Sequence, residues 1–348
     1  MDEFAQRSAG DRADLFRAVA TQRGLSAAIV EKDFWVCWTL KRLFTLDVPP
    51  AGLLFKGGTS LSKVFKVIER FSEDIDLSLN RSDLGFGGAG DPQAASTGKQ
   101  RRKRLDSLTE ACRRIIRNDL LPSLRSAFGS ALAKAAGQAW VVDLADDDPD
   151  QQTLVFQYPS SVAAPSATGR AYIRPVVRLE IGARSDHWPA IEGILMPYAA
   201  EEFPKVFAAP KCCVHVLAAE RTFWEKATIL HAWHHAPANK ILGDRQSRHY
   251  YDVVRMYEHG IGREAMRNTD LLLEVSKHKS IFFASAAAKY AEACPGTLRL
   301  VPPDSRVGEL RRDYQSMQEM IFGPAVTFDH VMSVLREIES AINSVGQQ

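Results

Sequence analysis

At 348 residues, 45% apolar and 25% charged, the chain has an ordinary globular composition and is long for one core. Two lobes or one elaborated domain are therefore expected. The net charge of +2 leaves any nucleic-acid role to local patches. No apolar run approaches the roughly 18–20 residues of a membrane span, and the N-terminal MDEFAQRSAGDR lacks a signal-peptide core. Cys37, Cys112, Cys212, Cys213 and Cys294 are odd in number and scattered, without CxxC spacing, which favours reduced thiols. The expectation is a cytoplasmic protein with no membrane partner.

In chain order, residues 11–44 show helical periodicity in two segments that break near Gly24, with Ser26 as N-cap of the second. GLLFKGG reads as a short strand running into a glycine turn, TSLSKVFKVI as helical, and EDIDLSL as a strand of period two. Residues 81–100 are loop by composition, and a helix is expected from about 101 to 127. Residues 138–144, 152–158 and 171–183 look like strands, the first two joined by the acidic DDDPD turn. From 218 onward the pattern is mainly helical. The domain expectation is an α+β lobe over 1–217 and a helical lobe over 218–348 that completes an active-site cleft.

The stretch KGGTSLSKVFKVIERFSEDIDLSL carries the chemistry. Asp74 and Asp76 lie two apart on a strand and face one side, while Ile75 and Leu77 face the core. Two like charges so close need a cation or hydrogen-bond donors. Paired hard oxygens suit Mg²⁺ (or Mn²⁺), which fills its remaining positions with water and substrate phosphate. Gly57 and Gly58 let the backbone approach a ligand, and Thr59 and Ser60 sit where helix N-terminal N–H groups can receive phosphate. The plainer reading is a turn beside an edge strand with solvated aspartates. A lone DxD is a weak signal, but DxD with GG-[TS] some fifteen residues earlier is a stronger one.

This stretch resembles the first motif of the polymerase-β-like nucleotidyltransferase superfamily. More narrowly, FKGGTSLSK…RFSEDIDLSL is similar to the AbiEii/AbiGii toxins, with which the MenT-like toxins belong. EKDFWVCWTL, RLEIGARSDHWP and AAERTFWEKATILHA…RHYYDVVRM match further segments, so the resemblance covers roughly residues 28–258. It implies a mixed-sheet α+β core with a mainly helical C-terminal lobe. It adds little for the last ninety residues.

The resemblance also implies roles. Glu180 shares a strand face with Arg178 and would be a third carboxylate near the metal or a base; alternatively it is a structural partner of an arginine. On the helical wheel of ERTFWEKATILHAW, Phe223, Ala227, Leu230 and Trp233 form an apolar stripe opposite Arg221, Glu225 and Thr228. Lys226 falls inside the apolar arc, where a lysine ordinarily snorkels; the family places its essential triphosphate-contacting lysine there. Asp252 aligns with the second acid of an Arg-Asp-x-x-Asp pattern whose first acid is replaced by His249, and it would orient Lys226 or assist metal and substrate. Arg70 and Ser72 match an Arg-x-Ser that would contact triphosphate, and Lys63 belongs to the glycine motif, whereas Lys66 reads as a solvated charge.

Two further clusters stand apart. Lys99, Arg101, Arg102, Lys103 and Arg104 put five cations in six residues at a helix start, where they oppose the helix dipole; they suit RNA, or are a solvated run. His231, His234 and His235 share one side of a helix, so zinc is conceivable, but without HExxH or a cysteine partner packing or a nucleotide-edge contact is favoured.

The expected activity is Mg²⁺-dependent transfer of NMP from NTP, releasing pyrophosphate, to an acceptor that the resemblance implies is the 3′ end of tRNA. A separately encoded antitoxin with a DNA-binding domain would be the partner. Nucleotidylation of a protein or small molecule on the same core, and a non-catalytic module binding RNA or a partner, remain alternatives.

Overall fold

The computed structural model describes residues 1–47, 52–72, 74–132, 139–162, 174–241 and 243–345. Residues 138 and 171–173 of the expected strands, and Glu73 at the head of EDIDLSL, lie outside the described residues. The chain divides into two compact units, Met1–Val64 with Ser72–Val216, and Phe65–Phe71 with Leu217–Gln348.

The first unit opens with α1 (Asp2–Ala5), α2 (Ala9–Arg23) and α3 (Ala27–Leu43). Gly24 at φ +65° closes α2, and Ser26 caps α3 by accepting from Ile29 N. Then come β1 (Leu53–Lys56), α4 (Gly57–Lys63) and β2 (Asp74–Leu79). The expected helix after the glycine turn ends at Lys63 rather than near Ile68, because Phe65–Phe71 leave for the second unit. Short π and 3-10 turns fill 82–94 before α5 (Gly98–Ile115), which runs through a π turn into α6 (Leu121–Leu132). β3 (Val141–Leu144), β4 (Thr153–Gln157), β5 (Val176–Gly182), β6 (Ala190–Leu195), α7 (Tyr198–Glu202) and β7 (Cys212–Leu217) follow.

These strands form one mixed sheet in the order β3-β4-β5-β2-β1-β7-β6. β2 runs antiparallel to β1 and parallel to β5, so it lies at the centre. Ile75, Leu77, Leu179 and Ile181 bury the apolar face, as the alternation requires. Against the helices, Phe34, Trp35, Trp38, Phe128 and Phe156 interlock, Trp35 and Phe156 meeting edge-on at 5.8 Å between centroids.

The second unit is helical: α8 (Ala219–His235), α9 (Ser247–Glu258), α10 (Ile261–Ala265), α11 (Thr269–Phe282), α12 (Asp304–Met317) and α13 (Phe328–Val345). α8 is buried nearly all round, so Arg221 and Thr228, expected opposite the apolar stripe, are buried at 1% and 0% exposure. Residues 69–71 join this unit by backbone pairing: Phe71 N donates to Met320 O at 2.7 Å and Phe322 N to Glu69 O at 3.0 Å. Among the described residues no helix is long and apolar enough to cross a membrane.

Candidate active site

Strand register fixes the first set of groups. Asp76 lies opposite Lys56 of β1 and Glu180 of β5, and Glu180 lies opposite Thr153 of β4, so Lys56, Asp76, Glu180 and Thr153 form one row across four strands. Asp74 pairs in register with Arg178, whose guanidinium reaches Asp147 at 3.1 Å. Asp74 and Asp76 are half-buried on the polar side of β2, and Glu180 is exposed.

The turn into α4 is shaped around Asp76. Gly57 has φ +79°, and a Cβ there would fall 1.9 Å from Asp76 Oδ2. Only glycine leaves that carboxylate its place. Thr59 and Ser60, by contrast, direct their hydroxyls inward. Thr59 Oγ1 donates to Asp74 O at 2.5 Å and lies 3.0 Å from Ser72 Oγ, while Ser60 Oγ donates to Gly57 O at 2.8 Å. Thr59 and Ser72 thus lock the start of β2 to the glycine turn.

The second set lies within the helical unit. Arg70 grips Asp252 with both forks, Nε to Oδ1 and Nη2 to Oδ2, each at 2.7 Å. Lys226 Nζ lies 2.8 Å from the same Oδ2. Burial pushes the Asp252 carboxyl up, but Arg70 and Lys226 outweigh it and hold the group well below the ordinary carboxylate range. Lys226 is lowered, first by burial and then by Arg70, against the pull of Asp252. Asp252 is therefore a fixed anion shared by two cations, and the ammonium proton is the more loosely held. His249, at the position of the family's missing acid, is pushed well below its usual range by burial and by Lys226 and Arg248, so it is neutral.

The family described as nucleotidyl transferase AbiEii toxin of type IV toxin–antitoxin systems matches residues 38–334. The chain belongs to the AbiEii nucleotidyltransferase toxin family. Its chemistry is accordingly nucleotidyl transfer with NTP as co-substrate, on an α+β fold with a mixed sheet. No curated protein matches the sequence. Among solved structures, the MenT4 nucleotidyltransferase toxin of Mycobacterium tuberculosis H37Rv aligns at 18% identity and TM-score 0.42, over 96% of this chain and 98% of that one. The family match extends past residue 258 to 334, so most of the C-terminal region that was expected to add little belongs to the family unit.

Within this AbiEii chain, the metal question turns on Asp74 and Asp76. Among the described residues no group of three or more His, Cys, Asp or Glu side chains is gathered to hold a metal ion. The two half-buried aspartates, with Gly57 keeping space beside Asp76, do fit a hard divalent ion that draws its other ligands from water and phosphate.

Lys63 is placed elsewhere. It is 5% exposed, 2.5 Å from Asp33 Oδ1, and its ammonium sits 3.6 Å over the Tyr198 ring. Asp33 also accepts from Tyr198 N at 2.6 Å, and Glu31 accepts from Ser160 Oγ and Ser161 N at 2.7 and 2.6 Å. The EKDFW segment thus supplies buried anchors, whose signal in the sequence is acids set in the middle of an apolar helix.

The histidine cluster is a packing device. His231 Nδ1 accepts from Arg299 N at 3.0 Å and Nε2 faces Lys289 O at 3.2 Å, so both ring nitrogens are spent on backbone. His234 Nδ1 faces Val301 O at 2.7 Å.

Asp313 of α12 went unnoticed in the sequence. It accepts from Arg245 N and Ser247 N at 2.6 and 2.7 Å and so caps α9, the helix that carries Asp252. No local pattern announces a cap supplied from over sixty residues away.

Proposed function

We propose that this AbiEii toxin transfers NMP from NTP to the 3′ hydroxyl of tRNA, with Mg²⁺ held by Asp74 and Asp76. The observation that carries the reading is the glycine turn moulded on Asp76, where a Cβ on Gly57 would fall 1.9 Å from Asp76 Oδ2, so the turn packs directly against one of the two carboxylates. The ion, when bound, neutralises triphosphate charge and lowers the pKa of the attacking hydroxyl.

The chain's own residues do the rest by position and charge. The acceptor oxygen forms a bond to the α-phosphorus as the bond from that phosphorus to the bridging oxygen breaks, and pyrophosphate leaves with the electron pair. Glu180, exposed beside Asp76 in strand register, is the carboxylate we assign to take the hydroxyl proton. Gly57, Gly58, Thr59 and Ser60 shape the triphosphate cradle, with Thr59 and Ser72 acting as braces. Lys226 meets the leaving pyrophosphate. Arg70, four residues before Asp74 in the chain, is committed to Asp252 and holds that acid in place to orient Lys226. Lys63 acts through its buried pair with Asp33, as a support for α4. The family's place in type IV toxin–antitoxin systems supports a separately encoded antitoxin, with a DNA-binding domain, as partner.

The test is incubation of the protein with deacylated tRNA, Mg²⁺ and each labelled NTP, followed by nuclease or protease digestion. Label that nuclease removes, and that Asp76→Ala abolishes, is the expected result. Label on protein would move the acceptor, and absence of transfer with all four NTPs would end the proposal.

A further inference from the structure

Of the cations at the start of α5, Arg104 is built into a platform, while Lys99, Arg102 and Lys103 have no acidic partner among the described residues. α5 begins at Gly98, and Thr97 caps it by accepting from Gln100 N at 3.2 Å. Arg104 Nη1 donates to Asp91 O at 2.7 Å, and Asp91 Oδ2 accepts from Arg81 Nε at 2.8 Å. Arg81 in turn pairs with Asp186 at 2.6 Å, so the helix start is tied to the ends of β2 and β5. Lys99, Arg102 and Lys103 are exposed on this platform, and Arg101 keeps a buried Nε with no hydrogen-bond partner.

Local acids could have neutralised these charges and do not. Asp106 stands four residues after Arg102 and three after Lys103, the spacings at which helix ion pairs form. The basic residues that do pair on this helix lie further along, as with Arg113 and Glu110 at 2.8 Å. Residues 96–104 also contain no aromatic or aliphatic side chain. A protein interface needs such an anchor at its centre, whereas a phosphate backbone needs only charge and donors.

We propose that this surface, Lys99, Arg101, Arg102 and Lys103, binds the phosphate backbone of the acceptor RNA away from the reacting end. The inference rests on the RNA reading given above and deepens it. The platform lies where β2 leaves the sheet, while Asp74 and Asp76 lie where it enters. From Asp76 to Leu79 alone is about 10 Å, so an NTP or a small acceptor at the carboxylates does not reach the patch. A folded RNA spans that separation, and its contact here selects acceptors that have a body beyond the 3′ terminus.

Binding measured across a salt series decides it, with deacylated bulk tRNA and a 20-nucleotide single strand as probes. Lys99→Gln, Arg102→Gln and Lys103→Gln together are expected to weaken tRNA binding roughly 10- to 100-fold and to flatten the log–log salt slope by about 2–3. The single reversal Arg102→Glu should move both quantities the same way. A control that removes equal charge elsewhere, Lys205→Gln, Lys211→Gln and Lys277→Gln, should change affinity less than about 3-fold. Mg²⁺–NTP binding should be the same in all of these proteins. Unchanged tRNA affinity and slope in the α5 variants, or an equal loss in the control, overturns the proposal. These readouts need no turnover, so failure of nucleotide transfer would sink the proposed function and leave this comparison intact.

Discussion

Gly57 and Gly24 separate two ways in which a glycine can be required. Both sit at positive φ, but a Cβ at Gly24 meets nothing within 4 Å, whereas at Gly57 it collides with Asp76. Gly24→Ala should cost about 1–2 kcal/mol of stability and leave transfer intact. Gly57→Ala pays the same strain and displaces the carboxylate, so turnover should fall at least about 100-fold, beyond what its melting temperature explains. Asp252 poses a different case, since Asp252→Asn strands two buried cations and should cost about 3–5 kcal/mol in urea unfolding. In a double-mutant cycle, Lys226→Met should cost much less in the Asp252→Asn background than in the wild type. Because the folded carboxyl lies below its unfolded value, its contribution is complete above about pH 4 and is lost only in stronger acid.

Helices and strands differ in how far local sequence specifies them. Ser26 and Gly24 announce a cap and a stop through their own chemistry, and the DIDLSL alternation fixes β2 and its buried face. β6 and β7 are less legible, since the first has Gly193 inside it and the second begins with paired cysteines. Among site residues, Asp74, Asp76 and the glycine turn are legible because neighbours in sequence make them. Asp313 is not, because its work on α9 is long-range. Asp313→Ala should lower stability by about 1–2 kcal/mol by uncapping α9, and it should reduce turnover without weakening NTP binding, a split that steady-state kinetics reads directly. In α8, burial holds the His231 imidazole down at about 4 against an ordinary 6.5. A depressed histidine stabilises above its unfolded value and loses that contribution as pH falls through 6.5 toward 4. The urea midpoint should therefore drop over that interval, and the drop should be shallower in His231→Gln.

At the scale of the molecule, the boundary between the two units is not a single cut in the chain. Phe65–Phe71 interrupt the first unit and pair with residues near 320, which is why the last ninety residues, though poor in motifs, matter. A fragment ending at residue 303 lacks the Asp313 cap and the partner of Phe71, and it should show an early, non-cooperative loss of helix in thermal melts and rapid cleavage near Arg70. A melt matching the full chain would refute that dependence. The same connectivity sets a clock on synthesis. Arg70 is made long before Asp313 and Met320, and at about 5–20 residues per second the interval is roughly 10–50 s. Through that time a nascent chain already carries its acidic strand, while Arg70 lacks the backbone partners that hold it to Asp252. The backbone pairing that holds the segment of Arg70 is thus among the last to form, and a chain stalled on the ribosome before residue 320 is expected to show no nucleotide transfer.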